Sequence, residues 1–361
     1  MAVITSAGSG NSNVGGTWTG GAVPDATSDV EIQSGHTITL NTTHTWNSLQ
    51  VDSGGTIDGD NQELTIDGEN SNAYAVDIDG AISGTDTDIT ITTATTTAID
   101  LLATSGTIRN ITINNGGNTV QLTDAMTISG DLIITAGTLD TTGSNRALTV
   151  TGATSIGPDS GAADQATLTC NDSTCSFGTG LTSAIALSVV TGGTFAGGGG
   201  THTFGSLKVS NNVNSKCTMT TGTASIDSMP SAGGGRSFHT LANSTFDNAN
   251  GTIAFTSPSD QRIELGSVAD TKCFHNLTLN KGGSSDVATF GNMRCEGDLS
   301  ITLSTNYTMR PNSGSETLTV DGDCTIVEGK LGNTTTYTGD NSFGSLTIAD
   351  GGTFVATSGT T

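Results

Sequence analysis

The sequence predicts an all-β solenoid, a chain wound into successive coils, on three observations. The first is a seven-residue stretch, Thr45-Trp46-Asn47-Ser48-Leu49-Gln50-Val51, which returns as Thr203-Phe204-Gly205-Ser206-Leu207-Lys208-Val209 and as Ser342-Phe343-Gly344-Ser345-Leu346-Thr347-Ile348. Looser copies begin at Ile128, Cys273 and Cys295. Each places a small polar or acidic residue before a Leu, and a second aliphatic two positions later. A spacing of two is strand geometry, because alternate side chains share a face. Copies of one strand scattered along a chain mark a repeat architecture. The second observation is composition. Of 361 residues, 33% are hydrophobic and 4% aromatic, too few for a thick core but enough for narrow ladders of Val, Ile and Leu. The third is the filling. There are 50 Gly and only 5 Pro, which excludes collagen and Pro-rich linkers. Thr is abundant, β-branched and favoured in strands, and no stretch sustains a helical period.

In chain order, residues 1–40 differ from the rest. They hold Trp18–Pro24, then Asp29–Ile32 and Gly35–Leu40. A solenoid must cover its open end, or exposed strand edges would pair with other chains. Residues 1–40 are therefore expected to form an N-terminal cap and the first coil, with Trp18 packed over the end of the core. A sugar-stacking role for Trp18 is the sharper alternative. Residues 41–361 read as β-helix repeats. Leu64-Thr65-Ile66 follows Leu49, Leu148-Thr149-Val150 follows Leu132, and Leu318-Thr319-Val320 follows Leu299, with Gly-Gly-Thr-Ile at 54–57 or Ala-Gly-Thr-Leu at 136–139 between. Three strands and their turns make one coil of roughly 20 residues, and on the order of 14 coils in all. At ~4.8 Å per coil the rod would be roughly 65 Å long. Looser inserts are expected near 158–200, with the Cys170–Cys175 loop and Gly197–Gly200, and near 227–262, with Gly233–Arg236, two Pro turns, Phe238 and His239. Loops on a regular scaffold are where binding is expected first. A new coil opens at Phe343 and no capping composition follows before Thr361. The last coil is expected to continue in a longer chain or to be covered by a partner subunit, as in a trimer.

The pattern Trp-x-Gly-Gly-x-x-Pro at Trp18–Pro24, followed by Asp29–Ile32 and Gly35–Leu40, resembles the opening of many right-handed parallel β-helix proteins of phage virions and bacterial surfaces. The resemblance implies a right-handed parallel β-helix to the end of the chain. It also implies a place among tail fibres, tailspikes, capsid decoration proteins or adhesins. It is silent on activity, because adhesins, virion proteins and polysaccharide-cleaving enzymes all use the fold.

The net charge is −23, from 11 basic and 34 acidic residues. Such a surface repels nucleic-acid phosphates, and no apolar run is long enough for a transmembrane helix. Neither nucleic acid nor membrane insertion is expected. Met1–Gly8 lacks the basic and apolar regions of a secretory signal. Synthesis in the cytosol and release with a lysing particle fits that start. All six Cys follow residue 169, with no Cys-x-x-Cys pair, so a zinc reading is weak. A disulfide between Cys170 and Cys175 stays open. Cys273 and Cys295 are expected to stack as small hydrophobes at one inner position of successive coils.

Chemistry has few candidates. Asp58 with Asp60 and Asp86 with Asp88 have the spacing of paired carboxylates for glycoside cleavage, but solvated turn carboxylates are the simpler reading. Asp58–Asn61 looks faintly like a calcium loop without the remaining ligands. Arg109, Arg146, Lys208, Lys216, Arg236 and Arg262 are scattered, and His36, His44, His202, His239 and His275 show neither metal spacing nor an obvious acid partner. No nucleophile elbow is present. No catalytic, cofactor-binding or metal-binding residue is assigned. No cofactor is expected beyond calcium held loosely at surface turns. The expected function is a non-enzymatic structural protein at the virion surface, a capsid decoration or part of a tail fibre or spike. The alternatives are a bacterial cell-surface adhesin and a polysaccharide depolymerase of the tailspike type. The expected partners are virion proteins, further copies of the chain and host surface glycans.

Overall fold

The structure, a computed structural model, describes residues 2–84, 86–158, 166–266, 272–281, 287–304, 307–332 and 338–356. It is a parallel β-solenoid of about 14 turns. Among the described residues the only helical segments are two short 3-10 turns, Gly15–Thr17 and Ala232–Gly234. The chain divides into two units. One is Met1–Pro158 with Asp164–Thr174, and the other is Cys175–Thr361 with Asp159–Ala163.

In the first unit the recurrent seven-residue stretch is two strands rather than one. His44–Trp46 and Ser48–Val51 flank a corner at Asn47. The corner turns the chain so that Trp46 and Leu49 both face inward, from adjacent walls. Gly54, at φ 85°, makes the next turn, and Thr56–Asp58 forms the third wall. The chain then returns as Glu63–Ile66, with Leu64 opposite His44 and Ile66 opposite Trp46. Coil length is not fixed. Asp29 and Ser48, facing each other across a coil, are 19 residues apart, whereas Asp131 and Ala153 are 22 apart.

Register makes the core. Trp46, Ile66, Ile91, Ile113, Ile134 and Ile156 form one column, all fully buried. Val30, Leu49, Val76, Ile99 and Leu122 form a second, and Ile38, Ile57 and Ile82 a third. Each buried aliphatic side chain contributes roughly 1.5–3 kcal/mol of transfer free energy. Trp18 lies inside the first coil, 1% exposed and edge-on to Trp46 at 6.0 Å. Its Nε1 donates to the Ser12 carbonyl at 2.8 Å. Buried in this way, it offers no face to a sugar.

The small residue before each Leu now has a reason. At the corner, Asn110 Oδ1 accepts from the Asp131 N–H at 2.7 Å, and Asp131 Oδ1 accepts from the Ala153 N–H at 2.7 Å. Each side chain thus adds a tie between coils beside the backbone bonds of the corner, Gly130 N–H to the Arg109 carbonyl at 2.7 Å and Gly152 N–H to the Gly130 carbonyl at 2.8 Å. The Gly before it leaves the room: a Cβ at Gly130 would lie 2.4 Å from Asn110 Oδ1, and one at Gly152 2.3 Å from Asp131 Oδ1. The second unit repeats the device. Asn276 Oδ1 accepts from the Asp298 N–H at 3.0 Å, and Asp298 Oδ1 from the Asp323 N–H at 2.9 Å.

The second unit's core departs from the expected aliphatic ladders. Phe177, Phe195, Phe204, Phe238, Phe246, Phe255, Phe274 and Phe290 are all buried in it. Phe177 and Phe204 stack at 5.4 Å, and Phe238 meets Phe246 and Phe274 edge-on at 5.4 and 5.3 Å. Here aromatics take inner positions that aliphatics hold in much of the first unit. The expected Cys273–Cys295 stack is also corrected. Phe274 stands opposite Cys295, while Leu277 stands opposite Leu299. The Cys295 coil spends one more residue at its corner, which shifts Cys273 out of the column. Cys273 lies beside Asn248, whose Nδ2 is 3.5 Å from its Sγ. Neither Cys170 nor Cys175 is in a disulfide.

The stretches read as inserts carry regular strands where they are described. Ala166–Thr169, Cys175–Phe177, Leu187–Val189 and Gly193–Ala196 continue the winding, and residues 159–165 lie outside the described set. Gly197 packs close to its neighbour, since a Cβ there would sit 2.7 Å from the Met219 carbonyl carbon. In 227–262 the Ala232–Gly234 turn ends at Gly235, with φ 65°. The final described coil is Asn341–Phe354, and the end at Thr361 lies outside the described residues.

Candidate functional site

The region 227–262 supplies the side chains of greatest chemical interest. Three strands of the second unit stack in register: Leu207–Val209, Phe238–Thr240 and Gln261–Leu265. Alternation sends Leu207, Phe238 and Ile263 inward and puts Lys208, His239 and Glu264 in one outer row. The Ala232–Gly235 turn brings Arg236 beside that row, where its Nε donates to Glu264 Oε2. Arg262 Nη2 lies 3.3 Å from the same oxygen, and His239 Nε2 lies 4.0 Å from Glu264 Oε1.

Of the six scattered basic residues, the fold thus brings Lys208, Arg236 and Arg262 together, leaves Lys216 on a different strand, Lys216–Thr218, and leaves Arg109 and Arg146 in the other unit. There Arg109 pairs with Asp88 at 2.6 Å, and Arg146 lies 3.6 Å from Asp124. His239 has an acid neighbour after all. Glu264 is one coil away rather than near in sequence, which is why spacing did not reveal it. Three of the other four histidines hold hydrogen bonds: His36 with Ser6 at 2.8 Å, His44 with Ser12 at 2.7 Å, and His202 with the Gly197 carbonyl at 2.6 Å, while His275 Nδ1 is buried without a hydrogen-bond partner among the described residues.

Electrostatics at the cluster follow from burial and crowding. His239 is 7% exposed. Burial, with Arg236, Lys208 and Arg262 nearby, pushes its imidazole down to about 4, against the pull of Glu264. It is neutral at pH 7. Burial pushes the Glu264 carboxyl up, but Arg236, His239 and Arg262 outweigh this and hold it below the usual range. Ser237 Oγ, His239 Nε2, Thr240 Oγ1 and Gln261 Oε1 are buried polar atoms without a hydrogen-bond partner among the described residues. Buried polar groups are ordinarily paired, so such a concentration singles out this wall.

Two depressions flank Arg262, each about 220 Å³. One is lined by Glu264, Asn292, Asn312 and Glu316, the other by Gln261, Thr289, Arg310 and Asp260. The sequence offered no signal for Arg310 or Thr289. They join the site only through register, with Arg262 opposite Thr289 and Thr289 opposite Arg310.

The carboxylate pairs read from the sequence do not form a comparable site. Asp88 receives Arg109 Nε at 2.8 Å and Asn110 Nδ2 at 2.9 Å, so its charge is taken up in tying coils together. Asp60 leaves the strand at φ 44°, which takes it out of the row that Asp58 begins. A different acidic group stands out in the first unit. Asp77 and Asp100 are register partners, and Asp100 faces Asp124. Burial, then Asp124 and Asp77, push the Asp100 carboxyl up to about 6.

Comparison with protein-family models, with curated proteins and with solved structures finds no match.

Proposed function

We propose that this chain is a non-enzymatic structural protein of a phage particle, a capsid decoration or a component of a tail fibre or spike. The observation that supports it most is the use made of polar side chains. In both units the Asn and Asp of the corners are spent on binding one coil to the next. Hydrogen bonds along every wall, stacked interior columns and corner ties together resist local opening, which suits a protein that works by stiffness. Its acidic surface keeps particles apart. In this reading the partners are virion proteins and further copies of the chain, arranged as a trimer, and the location is the virion surface.

Peptide mass spectrometry on purified particles from the source tests the reading by counting copies against the major capsid protein. Hundreds of copies identify a capsid decoration, and a few to a few dozen identify a fibre or spike. Absence from particles together with presence in a bacterial envelope overturns the proposal in favour of an adhesin.

A further inference from the structure

We propose that the row Arg262–Thr289–Arg310 is a binding site for a small oxyanion, a carboxylate or phosphate group. The three residues occupy successive coils in register, so each backbone lies ~4.8 Å from the next and the two Arg side chains leave the same face on either side of Thr289. All three line one depression of about 220 Å³. Among the described residues Arg310 has no ion-pair partner. Arg262 Nη2 lies 3.3 Å from Glu264 Oε2, an oxygen that Arg236 Nε also reaches. Guanidinium forks match the oxygens of carboxylate and phosphate in geometry as well as charge.

The surroundings agree. Lys208, Arg236, Arg262 and Arg310 gather on one wall of a chain whose net charge is −23. Gln261, another lining residue, is 1% exposed and its Oε1 accepts no hydrogen bond. The lining holds two guanidiniums, the Thr289 hydroxyl, Gln261, the Asp260 carboxylate and Met229, with no aromatic platform.

The test is isothermal titration of the whole chain at pH 7 and constant ionic strength with glucuronate and with glucose 6-phosphate, against glucose and chloride as controls. The expected result is saturable binding of at least one acidic sugar. Arg310→Gln should weaken it about tenfold, near 1.4 kcal/mol. Arg310→Lys, which keeps the charge but loses the fork, should weaken it less. Arg294→Gln, remote and paired with Asp321, should leave it unchanged. The acid that binds more tightly names the ligand class. No binding of either acid, binding of glucose with equal affinity, or binding unaffected in a folded Arg310→Gln variant overturns the proposal.

Discussion

At the scale of single residues, the corner Asp and Asn separate charge from hydrogen bonding. Asp131 accepts a backbone N–H from the next coil, and Asn110 does the same work without a charge. Asp131→Asn is therefore expected to be nearly neutral. Asp131→Ala orphans the Ala153 N–H and should cost about 1–3 kcal/mol in urea unfolding. Equal effects of the two substitutions would show that charge, not acceptance, matters at the corner. Gly130→Ala should be destabilising as well, because the new methyl meets Asn110 Oδ1 and the Arg109 carbonyl. Titration gives an independent check. The Asp100 carboxyl titrates near 6 when folded, above its unfolded value, because of burial and its Asp124 neighbour. The folded state then holds the extra proton between about pH 4 and pH 6, so this group's stabilisation is present at low pH and lost as pH rises through about 6. Amide exchange in Thr97–Leu101 should be slower at about pH 5 than expected from intrinsic rates at about pH 7, and Asp100→Asn should flatten that difference.

At the scale of the element, the repeated stretch shows what a sequence can and cannot convey. Alternation in Leu49-Gln50-Val51 was legible, since apolar and polar residues take opposite faces of a strand. The corner at Asn47 was not, because a turn between two inward-facing strands leaves the same letters as one strand with an aromatic at its start. The Phe-lined interior of the second unit was hidden for a related reason. Phe204 sits where Trp46 does, and only the third dimension shows it against Phe177 and Phe195 at 5.4 and 5.8 Å. Phe204→Ala should cost about 3–5 kcal/mol, read from the unfolding of this unit, because the surrounding rings cannot close the space. A loss below about 1 kcal/mol would mean that the rings repack freely. The candidate site was half legible. Arg236 and His239 lay in a stretch marked by Gly and Pro, but Glu264 meets them, and Arg310 joins Arg262, only through coils whose lengths differ. The long step from Lys208 to His239 in one register row, against the short one from Asp29 to Ser48, defeats any fixed repeat.

At the scale of the whole molecule, one strand in each unit should answer acid in opposite directions. His239 is held near 4 when folded, by burial and the adjacent cations, below its unfolded value. Its stabilisation is complete above about pH 6.5 and is lost as pH falls toward about 4, where the unfolded chain takes up a proton that the folded one refuses. Exchange in Phe238–Thr240 should therefore quicken over the window in which Thr97–Leu101 gains protection, and His239→Gln should remove that trend. A charge of −23 also implies self-repulsion, so raising salt to about 0.5 M should shift the urea midpoint upward. The corner ties carry one further implication, for editing the gene. Asn110 Oδ1 reaches the N–H of residue 131, and Asp131 Oδ1 reaches that of residue 153. Excising residues 131–152 would present Ala153 to Asn110 in place of Asp131, with Thr154 arriving where Leu132 stood above Ile111. The lattice of bonds would close over the seam. A solenoid joined in this way can gain or lose a whole turn at a Gly-Asx junction, so length becomes a heritable quantity that changes in single steps while the cross-section stays the same.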